Sequence, residues 1–148
     1  MTYADALLHA NTYLRDCVFL VLHADIALGN GEQSFGLLTP NVVRGRALVL
    51  SRENAESAGA CGSTKHGVGA SCCIDYKMCH DGVLLLSPVP DNLIKALDYY
   101  ANTWGGENVL IMELVLAGYS VHNPCLLLPL KHHHCSAIRP LQAKKGIT

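Results

Sequence analysis

The sequence has no Cys-x-x-Cys pair, no surplus of positive charge, no hydrophobic run of membrane-spanning length and no internal repeat. Each absence excludes something. Eleven Lys and Arg against twelve Asp and Glu give a formal net charge of −1, which leaves no electrostatic footprint for nucleic acid. A membrane helix needs about 18 or more apolar residues in a row, and none is present. The N-terminus lacks the basic and apolar regions of a secretory signal, so a soluble, cytoplasmic protein is predicted. Seven cysteines (Cys17, Cys61, Cys72, Cys73, Cys79, Cys125 and Cys135) are an odd number in a chain without an export signal. That argues against a complete disulfide framework. Without a paired Cys motif, a zinc knuckle is poorly supported.

What is present is apolar. Half of the 148 residues are hydrophobic and 16% are charged, which excludes disorder and suffices for one domain with a sizeable core. Thr2 and Asp5 have capping-box spacing ahead of a helix over residues 3–14, whose apolar positions recur at helical intervals. Cys17 to Leu22 is a continuous apolar run, as in a strand of a parallel α/β sheet covered on both faces. Cys17 and Cys125 are expected as small core residues. Residues 29–41 read as loop, because glycine and proline interrupt any element. Arg46–Leu50 and Val83–Leu86 are two more short strands. Between them, residues 54–73 form a long Gly/Ser/Cys-rich loop. Asp91 is a plausible N-cap for a helix over 92–100.

The segment from Gly105 to Arg139 carries most of the organisation. Glu107 and Asn108 open a helix that runs to about Ala117, where a carboxylate suits the helix dipole, and Gly118 ends it. The helix is apolar on all sides, which predicts burial and aims its N-terminus into the fold. A short strand, the Asn123-Pro124 break, a second apolar strand and His132, His133 and His134 follow. In a strand, His132 and His134 share a face and His133 does not.

The alternation of elements predicts an α/β domain with polar residues at the strand ends, where open sheets bind ligands. Those residues are Asp25, Asp81, Glu107, His132 and His134. Carboxylates with imidazoles suit Mn²⁺ or Mg²⁺, or an acid–base pair. Arg52 follows a strand and could hold a phosphate.

Several segments resemble, in order and wording, a family of GT-A type glycosyltransferases of viruses, bacteria and algae. TYADALLHANTYLRDCVFLVLHADI is similar to the family's helix, strand and NADI motif. RALVLSREN and CHDGVLLLSPVP resemble its ALSRxE and SQDxWIF elements. GGENVLIMELVLAGYSVHNPCLLLPLKHHHCS, with Arg139, is similar to its GCDN…NPS…HxHxS…R stretch. The resemblance runs from Thr2 to Arg139. It implies a GT-A-like (Rossmann-like) mixed sheet flanked by helices and lacking the first nucleotide-binding strand and helix, which a partner chain or second copy could supply. It implies a nucleotide-sugar donor, a glycan or other hydroxyl acceptor, and a divalent cation, Mn²⁺ or Mg²⁺. Carried onto this chain, Asp25 contacts the cation or nucleotide, with His132 and His134 completing the metal site. Asp81 lies by the donor sugar, and Glu107 with Asn108 recognises or deprotonates the acceptor. Arg139 pairs with phosphate.

The chain departs from that pattern at His23, His80 and Gly106-Glu107, and at Gly82-Val83, where the family has an aromatic residue. Two other readings stay open. One is a Zn²⁺-binding structural or interaction module built on His132 to Cys135; the other is a catalytically inactive remnant of a glycosyltransferase. Convergence of Asp25, Asp81 and Glu107 on one cleft is the feature that favours retained activity.

Overall fold

A computed structural model describes residues 1–29, 32–54, 80–101 and 103–132. The first helix, α1 (Tyr3–Tyr13), starts as the capping box requires. The Asp5 amide donates to Thr2 Oγ1 at 3.1 Å and the Thr2 amide to Asp5 Oδ2 at 2.7 Å, satisfying two otherwise unpaired donors. Tyr3, Leu7 and Ala10 bury one stripe of this helix. The Asn11 side chain then grips the Val89 backbone twice, donating to its carbonyl and accepting from its amide, each at 2.8 Å.

The sheet is mixed. Its strands are β1 (Val18–Leu22), β2 (Ile26–Leu28), β3 (Arg46–Asn54), β4 (His80–Leu86), β5 (Ser120–His122) and β6 (Leu130–His132). Their order is β1-β4-β3-β6-β2, with β5 also on β3. Strand β4 is antiparallel to both β1 and β3, while β5 and β6 run parallel to β3 along one edge. The α/β class expected from the sequence holds in this coarse form. The parallel setting expected for the 17–22 run does not, because β1 is an antiparallel edge strand. A continuous apolar run reports coverage of both faces and says nothing of strand direction.

Both faces are covered. Side chains at alternate positions of a strand point to opposite sides. Ala47, Val49, Val83, Leu85 and Phe19 therefore face a core shared with Leu7, Leu93 and Leu114. These helical partners lie on α1 and on two further helices placed below. Leu48, Leu50 and Leu84 face a second core with Ile26, Val43 and Leu128. That second layer includes two short helices, α2 (Glu32–Gly36) and α3 (Pro40–Val43), inside the segment expected to be loop. Pro40 does not break an element there but begins one, since its fixed φ and missing N–H suit the first helical position.

On the first face lie α4 (Asp91–Ala96) and α5 (Gly106–Leu116). The N-cap of α4 is Pro90, one residue before the expected Asp91, and the helix is shorter than the 92–100 span. Helix α5 is not buried on all sides. Leu110 and Leu114 are buried, but Met112, Val115 and Leu116 are exposed, because only one stripe meets the sheet. Its ends are set by two glycines with positive φ, Gly105 at 79° and Gly118 at 89°. At the C-terminus the Tyr119 amide donates to the Leu114 carbonyl and the Gly118 amide to Val115, each at 3.0 Å, the Schellman pattern that needs a left-handed residue.

The Asn123-Pro124 break fills a gap. Strand β3 has a bulge between Leu50 and Ser51, and its edge pairing passes from β5 to β6 at that point. Asn123 takes the place of a strand neighbour, accepting from the Ser51 amide at 3.3 Å and donating to Ser51 Oγ at 2.7 Å. The expected strand after it is mostly turn, with the Leu127 and Leu128 amides both donating to the Pro124 carbonyl. Cys125 is buried and disulfide-bonded, its partner lying outside the described residues, whereas Cys17 is a free, exposed thiol and not the expected core residue. The loop of residues 55–79, with its four cysteines, lies outside the described residues. Among the described residues, no helix is long and apolar enough to cross a membrane.

Candidate functional site

The polar residues gather where β1 ends and β4 begins, on the face that carries α1 and α5. Phe19, Val21 and His23 have the same parity, so a histidine one step beyond β1 is turned towards the first core. The His23 amide donates to the Asp81 carbonyl at 3.2 Å, extending the ladder by one residue. Asp81, the second residue of β4, is 4% exposed. Its Oδ1 accepts from Arg52 Nη1 at 2.6 Å and lies 3.4 Å from His23 Nδ1. Arg52 is itself largely buried, with 19% of its side chain exposed. A charged carboxylate at this depth requires partners of this kind.

On the other side of the imidazole, His23 Nε2 lies 3.5 Å from the Tyr3 hydroxyl. Tyr3 is placed by two backbone bonds, its own amide to the Tyr99 carbonyl and the Ala4 amide to Leu97. It also packs edge-on against Tyr99, with ring centroids 5.7 Å apart, and the Tyr99 hydroxyl donates to the Gly106 carbonyl at 2.7 Å at the start of α5. A chain of polar contacts therefore runs from Arg52 through Asp81 and His23 to Tyr3. Glu107, the second residue of α5, stands in the same field.

The titration behaviour follows from these neighbours. The hydrogen bond to Asp81 raises the His23 pKa, with the charges of Asp81, Glu107 and Asp25 adding to it against the effect of burial. Burial raises the Glu107 carboxyl, and the Asp81 charge raises it further. Burial likewise pushes the Tyr3 and Tyr99 hydroxyls well above their ordinary value, so neither ionises near neutrality. On the neighbouring position of β4, burial lowers His80, whose Nδ1 lies 3.3 Å from Ser51 Oγ.

Of the residues expected at a site, Asp81 contacts the His23 imidazole, Arg52 joins it through Asp81, and the charges of Glu107 and Asp25 act on it. Asp25 sits half-buried in the turn between β1 and β2, close enough for its charge to act on His23. Asn108 is exposed on the first turn of α5. The backbone of His132 pairs with Ile26 and Asn54 at the end of β6; its side chain, and the whole of His134 and Arg139, lie outside the described residues. At Gly82 a Cβ would come within 2.8 Å of Leu22 Cδ2 and 2.9 Å of Leu130 Cδ1, so a larger residue there requires these leucine side chains to move. The residues not anticipated are His23, seen in the sequence only as a substitution, and Tyr3, read only as helix core. The signal for His23 was its parity with Phe19 and Val21.

Among the described residues, no three His, Cys, Asp or Glu side chains are grouped to hold a metal ion. Asp25 is the one expected ligand with a described side chain. The chain matches no family model, no curated protein and no solved structure.

The raised His23 pKa makes stability depend on pH in a definite direction. A group whose folded pKa lies above its unfolded value stabilises fully below the unfolded value, 6.5 for His23, and loses that contribution as pH rises through the folded value. His80 works oppositely. Its depressed pKa removes stability as pH falls below 6.5, because the unfolded imidazole binds a proton that the folded one refuses. Melting temperatures of the wild type and His23→Gln, followed from about pH 6 to about pH 9, should differ most at the acid end and converge at the alkaline end. Parallel curves would remove His23 from the account.

Proposed function

We propose that this cluster is a sugar-transfer site of the GT-A glycosyltransferase type, taking a nucleotide-sugar donor and a hydroxyl acceptor. One observation carries the reading. Arg52 and Asp81 form an ion pair against His23 at one end of the sheet, and the charges of Glu107 and Asp25, from two further segments of the chain, act on the same imidazole. Glu107, with its raised pKa, is suited to take the acceptor proton, since a general base works best when its pKa approaches the operating pH. Arg52 and His23 place positive charge where a departing diphosphate builds negative charge, which stabilises the transition state when the groups are held in advance. Asp81 is too deep to meet the sugar directly; it acts as a positioning residue for Arg52 and His23. A carboxylate is a ligand that Mn²⁺ and Mg²⁺ both take, and imidazoles beside it favour Mn²⁺ over Mg²⁺. Asp25 with His132 and His134 would hold such an ion, which would offset charge on the leaving group.

A second reading has its own observation in favour. Asp81 is 4% exposed and closed off by Arg52, which also suits an inactive remnant in which the former site has become an internal ion pair. A thermal-shift titration separates the two. The full chain is heated with UDP, GDP and their sugar conjugates, each with and without Mn²⁺, Mg²⁺ or Zn²⁺. A ligand that binds only the folded state at about 100 times its Kd adds roughly 2.7 kcal/mol of stability. The expected result is a rise with one nucleotide class that needs Mn²⁺ or Mg²⁺ and disappears in Asp25→Ala. A rise with Zn²⁺ alone, indifferent to nucleotide, would point instead to the zinc module, and no rise at all to the remnant.

A further inference from the structure

A cavity lies away from this cluster, on the opposite face of the sheet. It encloses about 720 Å³, within the roughly 300–1,000 Å³ typical of small-molecule pockets. Leu38, Leu48 and Leu128 form part of its wall. Leu48 belongs to the second core, whereas its neighbours Ala47 and Val49 face the first, so the sheet itself separates the two sites. Leu37 and Leu127, 75% and 69% exposed, also line it. Apolar side chains left this open to water are the sort of surface that a ligand covers.

Apart from Ser34 on α2, the polar lining is confined to the edge where β3 and β5 begin together. Arg46 pairs with Ser120 and Leu48 with His122 in the parallel register, which puts Arg46, Ser120 and His122 on one side of the cavity. The Arg46 guanidinium is steadied there by donating from Nη1 to the Val42 carbonyl at 2.9 Å. Ser120 Oγ and His122 Nε2 lie 2.9 Å apart. The described lining thus contains one cation, three small polar residues (Ser34, Ser120 and His122) and no carboxylate.

The geometry points to a second binding site, one that takes an amphiphile: an apolar chain lying along Leu38, Leu48 and Leu128, with an anionic head at Arg46, Ser120 and His122. The apolar wall supplies affinity in proportion to the chain buried. Arg46 selects the sign of the head, because a guanidinium makes charge-assisted bonds to carboxylate or phosphate. Nothing in this inference depends on the transfer reaction proposed for the other face.

Isothermal titration of the full chain with dodecanoate, dodecyl phosphate and dodecyltrimethylammonium, all below their micelle concentrations, tests it. Saturable binding of an anion and not of the cation is expected, and the preferred head distinguishes an acyl carboxylate from a lipid phosphate. Each methylene removed from the chain should weaken binding about fourfold. Arg46→Met should weaken the anion at least about tenfold and leave 1-decanol unaffected. Ser34→Trp fills the cavity from α2 and should abolish binding. Leu37→Glu, at an exposed wall position that folding tolerates, should do the same by charge repulsion. Absence of saturable binding by either anion, equal affinity for the cation, or anion binding unchanged in Leu37→Glu would overturn the assignment.

Discussion

Replacing Asp81 by alanine is expected to cost about 3–5 kcal/mol of folding stability, the range found when one partner of a buried ion pair is removed. The reason lies in what is left behind. Arg52 keeps its charge at any accessible pH, and with 19% of its side chain exposed it has little water to replace the lost carboxylate. For a chain of this length each kcal/mol corresponds to roughly 2–4 °C, so a fall of roughly 6–20 °C in melting temperature should follow. Removing the cation as well should restore much of the loss. In Asp81→Ala/Arg52→Met both members of the ion pair are gone, and a well-packed apolar replacement of an ion pair is often neutral. The double-mutant cycle should therefore report a strongly favourable coupling between the two side chains. Asp81→Ala should also lower the His23 pKa, because the hydrogen bond that raises it most, and the Asp81 charge, are lost. A melting temperature unchanged by Asp81→Ala would mean that water already screens the pair.

The parts of the fold legible in the sequence are those fixed by local physics. The Thr2/Asp5 capping box and the Gly118 terminus each depend on residues within a few positions of one another, and both form as expected. Strand direction is different. The run from 18 to 22 could pair either way, and it turned out antiparallel because its partner is β4. The two short helices between residues 32 and 43 were hidden by the glycines and proline that usually mark loops. Helix α5 misled for another reason. Its sequence is apolar all round, and sequence cannot tell an apolar face that is covered from one that is left open, as at Val115 and Leu116. At the site, Asp25, Arg52, Asp81 and Glu107 were suggested by position at strand and helix ends together with a motif resemblance. His23 and Tyr3 were not, because their meeting depends on how α1 docks through Tyr99 and Leu97, a contact between segments nearly a hundred residues apart.

Glu107→Gln is expected to separate stability from function. Burial raises the Glu107 carboxyl, and Asp81 repels its charge, so the folded protein holds this carboxylate at a cost. The raised folded pKa means that Glu107 favours folding below its unfolded value, 4.5, and loses that advantage as pH rises through the folded value. Glutamine has nearly the same shape and no charge to desolvate. The variant should match the wild type in acid, then become progressively more stable than it as pH rises, and hold a constant lead once Glu107 is fully ionised. Transfer should move the other way. Loss of a general base costs about 10²–10⁴ in rate, so Glu107→Gln should be more stable and nearly inactive with whichever donor the thermal-shift titration selects. An inactive remnant would gain stability in the same way, with no turnover in the parent to lose. A variant that is less stable than the wild type at alkaline pH would show instead that the carboxylate is held by favourable partners, and would remove the reason for assigning it the proton transfer. Stability against pH and turnover with the selected donor, measured on the same two proteins, therefore decide between a working base and a buried relic.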